Sequence, residues 1–143
     1  MEKNVYEQAK AFKKKFPKTV AWRLKQNSKI VEQHINPDEE LLYAFPGQKN
    51  DNPFDIITTC VVAITNKRII IGQKRVCFGY FCSAVTPDLY NDLQVIKGVI
   101  WGKVIIDTVK EVVTISNLDP KALIEIETVI SEFMMYAKQK YVK

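Results

Sequence analysis

The chain has 143 residues, 47% of them apolar, with only five Gly and six Pro. That is enough for one domain with an ordinary core, and it excludes disordered and collagen-like classes. No uncharged stretch reaches the ~20 residues that a membrane-spanning helix needs, and Lys and Glu interrupt the first turns where a signal peptide would carry its apolar core, so a soluble, cytoplasmic protein is expected.

The net charge of +5 is concentrated at one end of the chain. Residues 1–35 hold nine Lys/Arg against Glu2, Glu7 and Glu32, whereas the remainder is nearly balanced. The expected organisation is a basic helical N-terminal arm, residues 1–35, joined to a nearly neutral body, residues 36–143. Within the arm, Val5, Ala9, Phe12 and Phe16 recur at helical spacing, with Lys3, Lys10 and Lys14 opposite, and Pro17 should end that helix. A second amphipathic pattern places Val20, Leu24, Val31 and Ile35 on one face and Lys18, Lys25 and Lys29 on the other. Trp22 falls among those lysines, which implies a second packing surface or a functional contact, and packing is expected: Trp22 should meet another protein surface, of the same chain or a neighbouring subunit.

From residue 38 the periodicity becomes that of strands. The expected strands are Glu40–Phe45, stopped by Pro46-Gly47, then Ile56–Thr65, Arg68–Gln73, Val76–Val85, Leu93–Ile100, Lys103–Val109 and Val112–Ser116. Seven short strands of this spacing predict a small antiparallel sandwich or barrel. Residues Thr65-Asn66-Lys67-Arg68 separate two apolar β-branched runs and read as a hairpin, with Asn66 expected in the left-handed conformation. Both alternation phases of that hairpin are apolar: Cys60, Val62 and Ile64 in one, Val61 and Ala63 in the other. A sheet wetted on one face would alternate, so the outer face should be covered by the arm or by a partner subunit. Asp119 as N-cap and Pro120 at the first helical position open a closing helix with a wide stripe through Ala122, Ile126, Val129, Ile130, Phe133 and Ala137.

No residue set points to covalent chemistry. Cys60, Cys77 and Cys82 lie in strand-like stretches, without CxxC spacing, and the chain has one His, His34. Reduced core thiols are expected, with neither a disulfide framework nor a metal site. The carboxylates Asp38, Glu39 and Glu40 sit where a strand begins and show no pattern of a buried acid with a raised pKa. The five glycines are scattered and make no phosphate loop. No cofactor is expected, and no enzyme.

A hairpin reading AITNKRIII, a later GKVIIDTV and EVVTIS strand pair, a Glu39-Glu40-Leu41 start to the first strand and the closing amphipathic helix resemble the bacterial pleckstrin-homology (PH) domains, in particular their YokE-like branch. The resemblance covers about residues 36–143 and implies a mainly β, α+β fold: a partly open seven-stranded antiparallel barrel capped by the C-terminal helix. It implies binding and assembly rather than catalysis. Relatives that bind phosphoinositides carry several Lys/Arg on the first hairpin; here Pro46 to Asp55 has Lys49 alone against Asp51 and Asp55, so specific phosphoinositide recognition is not expected.

The first functional expectation is thus a non-catalytic module that binds protein partners or associates with itself. One alternative is peripheral binding to anionic membrane through the basic arm, and a second is nucleic-acid binding through the same arm. The candidate anion or membrane contacts are Lys18, Trp22, Lys25, Lys29, Lys67 and Arg68. The bland reading, in which the lysines are a solvated face and the hairpin charges guard turns and edges, stands beside both.

Overall fold

The computed structural model describes residues 4–50, 52–75 and 79–142, with Ile56 and 138–142 described by backbone alone. Cys77 and the start of the expected strand at Val76 lie outside the described residues. Helix α1 spans Val5–Lys15 and α2 spans Leu24–His34; seven strands and the closing helix follow. The strands are β1 Leu41–Gln48, β2 Thr59–Thr65, β3 Ile69–Lys74, β4 Tyr80–Val85, β5 Tyr90–Lys97, β6 Gly102–Thr108 and β7 Val112–Leu118. A short 3-10 turn, Pro120–Ala122, leads into α3, Leu123–Val142.

All strand pairs are antiparallel, in the order β4-β3-β2-β1-β7-β6-β5, and the sheet does not close. Its two meanders meet at a narrow seam, Gln48 against Ser116. The seam explains why β1 runs through Pro46-Gly47, where the sequence suggested a stop. Pro46 pairs with Val61 on one side and has no ladder bond to β7 on the other, so its missing N–H leaves no gap. Gly47 is needed there because a Cβ would collide with Ile115.

Two clusters of buried side chains lie on opposite faces of the central hairpin. Phe45, Val62, Ile64, Ile69 and Ile71 face inward, packed with Val104, Ile106 and Ile115 from the other meander and with Ile126, Ile130 and Met134 from α3. Val61, Ala63 and Ile70 face outward and are covered by Val5 and Ala9 of α1 and by Val31 and Ile35 at the end of α2. The two-sided apolar hairpin therefore has its cover within the chain. Phe12 and Phe16, further along α1, cross to the inner cluster; the Phe12 ring lies 5.5 Å from that of Phe45 and 6.1 Å from that of Tyr43. Gly72 is matched to this cover, since a Cβ would stand 2.7 Å from Val31 Cγ2.

The helix ends follow the expected chemistry at three places. Asn4 Oδ1 accepts from Glu7 N at 2.9 Å at the start of α1, Phe16 closes α1 ahead of Pro17, and Asp119 Oδ1 accepts from Lys121 N at 3.0 Å before α3. The second arm helix differs. It begins at Leu24, not near Val20, behind Arg23 in the left-handed region at φ 57°. Tertiary hydrogen bonds hold residues 18–20 in an extended path: Lys18 N donates to Asp119 Oδ2, Asp119 N to Thr19 Oγ1 and Val20 N to Asn117 O. These bonds outweigh the local helical pattern. Lys18 and Trp22 are loop residues as a consequence.

Asn66 is also a correction. Among the described residues other than glycine, only Arg23 and Asn117 have positive φ, so the hairpin does not turn through a left-handed Asn66. Its side chain acts instead: Oδ1 accepts from Glu40 N, and its own N–H donates to Glu40 O, both at 2.9 Å. The turn is closed by Thr65, whose Oγ1 accepts from the N–H groups of Lys67 and Arg68 at 3.1 Å.

Candidate functional site

The six residues marked by the sequence do not form one surface. Lys67 and Arg68 sit at the tip of the β2–β3 hairpin, beside the start of β1 and the C-terminal end of α2. Lys18 and Trp22 lie at the opposite end, and Lys25 and Lys29 are exposed one turn apart on α2. The direction of α2 fixes this separation: Arg23, just ahead of it, donates to Arg75 O beyond β3, whereas His34 at its end accepts from Arg68.

At the hairpin tip the charges are satisfied inside the fold. Glu39 is buried, and its two carboxylate oxygens accept from Arg68 Nη2 at 2.9 Å and Nε at 3.1 Å. Asn36 N and Thr65 Oγ1 also donate to it, at 2.9 and 2.7 Å. Burial alone would raise the Glu39 pKa, but these four donors and the guanidinium charge hold it down at about 2. Arg68 gives its remaining reach to His34 O at 2.7 Å. Lys67 pairs with Asp38 at 2.5 Å on the open surface. The Thr-Asn-Lys-Arg motif is thus a clamp that fastens the hairpin to the residues entering β1.

The other end is built differently. A groove of about 370 Å³ runs between residues 18–22, Pro53-Phe54 and Trp101. Trp22 Nε1 donates to Pro53 O at 2.9 Å and Trp101 Nε1 to Lys18 O at 2.6 Å, so the two indoles, both of which line the groove, pin its walls together by their polar edges. Trp22 meets protein on one side only and remains 49% exposed. Buried Gln48 shapes the neighbouring loop, donating from Nε2 to Asn52 O and Asp55 O at 3.0 and 2.9 Å. Lys13 points its ammonium at Pro17 O and Thr19 O, both at 2.6 Å; burial lowers its pKa, against the charge of Asp119. Trp101, Phe54 and the exposed Val99-Ile100 of the β5–β6 turn were not singled out by sequence reasoning. The apolar run between Gly98 and Gly102 was the available signal, and it reads as the end of a strand until the pairing of Lys97 with Gly102 shows it to be a turn.

Cys60 is buried and its thiol is pushed up to about 12 by burial; Cys82 is half-buried and is raised for the same reason. His34 Nδ1 lies 2.8 Å from Ile30 O, with its ring edge-on to Tyr80. Among the described residues no group of three or more His, Cys, Asp or Glu could hold a metal ion, and no helix is long and apolar enough to cross a membrane.

Two antiparallel meanders joined at one seam, left open between their outer strands and plugged by a C-terminal helix, define a scaffold of the PH-like class. The model of the bacterial PH domain family matches residues 35–132, and the chain belongs to that family. Comparison with curated proteins and with solved structures finds no match. PH domains are generally non-catalytic interaction modules.

Proposed function

We propose that this chain is a non-catalytic interaction module of the cytoplasm, in which residues 36–143 form the PH-like domain and the arm, residues 1–35, covers it, and that it associates with a second copy of itself by strand addition along β4. Within the family we assign it to the YokE-like branch, on the AITNKRIII hairpin and the closing helix.

The observation that carries the reading is the contrast between the two free edges of the sheet. β5 has the usual protection: Asp92 and Lys97 are exposed on it, a register irregularity lies between Tyr90 and Asp92, and α3 packs against it. β4, with the sequence YFCSAV, has no charge, no proline and no bulge of its own; it exposes Tyr80 and Phe81, with His34 beside the one ring and Lys49 and Arg75 over the other. An edge this bare is a template for another strand, with main-chain hydrogen bonds supplying affinity and Tyr80 and Phe81 supplying apolar contact. Burial raises the thiols of Cys60 and Cys82, which suits inert core cysteines.

Light scattering across a concentration series tests it. The mass should rise from monomer towards dimer, and Phe81→Lys, which places a charge on the exposed edge, should hold the protein monomeric while its circular dichroism spectrum stays that of the folded chain. A monomer at every concentration, or a dimer untouched by Phe81→Lys, overturns the reading.

A further inference from the structure

The groove beside Trp22 has the size and the build of a small-molecule site. Its volume of about 370 Å³ lies in the lower part of the range for such sites, about 300–1,000 Å³. Segments far apart in the chain form it: Lys13 and residues 18–22 of the arm, Pro53-Phe54 of the β1–β2 loop and Trp101 of the β5–β6 turn. Each is held in place without a ligand. Lys18 N donates to Asp119 Oδ2 and Val20 N to Asn117 O, while Phe54 N donates to Asn52 Oδ1 and Gln48 Nε2 to Asn52 O. The two indole N–H groups then bond from wall to wall, so the groove is preformed.

The lining combines three aromatic side chains, Trp22, Phe54 and Trp101, with two lysines and no acid. Lys13 gives two of its ammonium N–H donors to Pro17 O and Thr19 O, which leaves the third for a ligand. Burial has taken water from this ammonium, as its lowered pKa reflects. The Asp119 carboxylate, whose charge reaches Lys13, is itself buried; it accepts from Lys18 N and Lys121 N and is not part of the lining. From this juxtaposition we infer that the groove binds a small aromatic carboxylate, its ring among Trp22, Phe54 and Trp101 and its carboxylate on Lys13, with Lys18 beside it. The lining selects against other classes. A cationic ligand would meet two lysines and no acid. A sugar or nucleoside needs hydrogen-bond partners around its rim, and both indole N–H groups are already spent on Pro53 O and Lys18 O. A polyphosphorylated ligand carries more charge than one partly engaged ammonium and one exposed lysine can balance. An aliphatic chain would be buried here but would forgo the aromatic contacts. Six of the nine lining residues precede residue 35, where the family match begins, so the site lies largely outside the family-matched segment. None comes from β4, so this inference and the self-association reading stand or fall separately.

Isothermal titration calorimetry of the full chain with 2-naphthoate as the probe tests it. One saturable site per chain is expected. The neutral isostere 2-naphthalenemethanol should bind about tenfold more weakly, for want of a charge-assisted hydrogen bond, and octanoate should also bind more weakly than naphthoate. Phe54→Ala should lower the naphthoate affinity about fivefold. Because Phe54 is 84% exposed, the melting curve of that variant should not move. Lys13→Met is read on both naphthalene ligands, since Lys13 also holds Pro17 O and Thr19 O. The affinity for the acid should fall about tenfold while that for the alcohol stays. A fall in both would mean that Lys13 shapes the groove and does not take the carboxylate, which overturns the inference. It is overturned equally by the lack of any saturable binding, by equal affinities for naphthoate and the alcohol or for naphthoate and octanoate, or by binding that Phe54→Ala leaves untouched.

Discussion

The two ends of this molecule use charged and apolar residues in opposite ways. At the hairpin tip, Glu39, Arg68, Thr65, Asn66 and Glu40 spend their polar groups on one another, and little is left to offer a ligand. At the loop end, the polar edges of Trp22 and Trp101 are spent on backbone carbonyls while hydrocarbon and lysines face solvent. A conspicuous charged motif can therefore be structural, while an inconspicuous apolar turn is left open to solvent.

The helices of the arm join the two ends, and removing them should have the largest effect. Without residues 1–35, Val61, Ala63 and Ile70 lose their cover of Val5, Ala9, Val31 and Ile35, and the inner cluster loses Phe12 and Phe16. The truncated chain is expected to aggregate on expression, as measured by its soluble fraction and by dye binding to exposed apolar surface. A soluble monomer of residues 36–143 with the melting temperature of the full chain would show that the cover is dispensable.

Breaking the clamp comes next. Glu39→Gln leaves the Arg68 guanidinium without its carboxylate in a largely closed site and should cost about 2–4 kcal/mol in denaturant unfolding. The pH dependence gives an independent check. The Glu39 carboxyl is held at about 2 in the fold against an ordinary 4.5, so its contribution is fully present above pH 4.5 and is lost as the pH falls towards 2. That window corresponds to roughly 3 kcal/mol, and the loss between these pH values should be missing in Glu39→Gln. A wild-type stability that stays flat across the window would mean the clamp is not formed in solution.

Much of the fold is legible in the sequence where the physics is local. The α1 stripe, the cap at Asp119-Pro120 and the apolar hairpin each specify their own geometry within a dozen residues. Three of the places where the pattern misleads are set by partners far along the chain. Residues 18–20 are drawn out of a helix by Asn117 and Asp119, Pro46-Gly47 is tolerated in β1 because of the seam with β7, and the groove is assembled from residues 18–22, 53–54 and 101. Hydropathy periodicity cannot report such assemblies, because each contributing segment is short and reads locally as a loop or as the end of a strand.

The turn at Asn66 separates two explanations of the same residue. Were its backbone left-handed, Asn66→Gly would be neutral or mildly stabilising, since glycine adopts that conformation freely. With ordinary φ and a side chain that accepts from Glu40 N, glycine should instead destabilise by about 1 kcal/mol, and Asn66→Asp, which keeps the acceptor, should retain most of the stability. Equal stabilities for Asn66→Gly and the wild type would restore the left-handed turn.

The smallest effect is expected from the most visible charge pair. Lys67 and Asp38 stand 2.5 Å apart, but their side chains are 50% and 69% exposed, so water and salt screen the attraction and the long Lys67 side chain loses freedom to hold it. Arg68, one residue on, is 25% exposed and pairs with a carboxylate that is fully covered. Lys67→Ala should leave the melting temperature unchanged within error at physiological salt, whereas Arg68→Ala should lower it clearly, because it strands the buried Glu39. A large loss from Lys67→Ala would mean that Asp38 does more than meet a neighbour at the surface, and that the hairpin is fastened by two pairs rather than one.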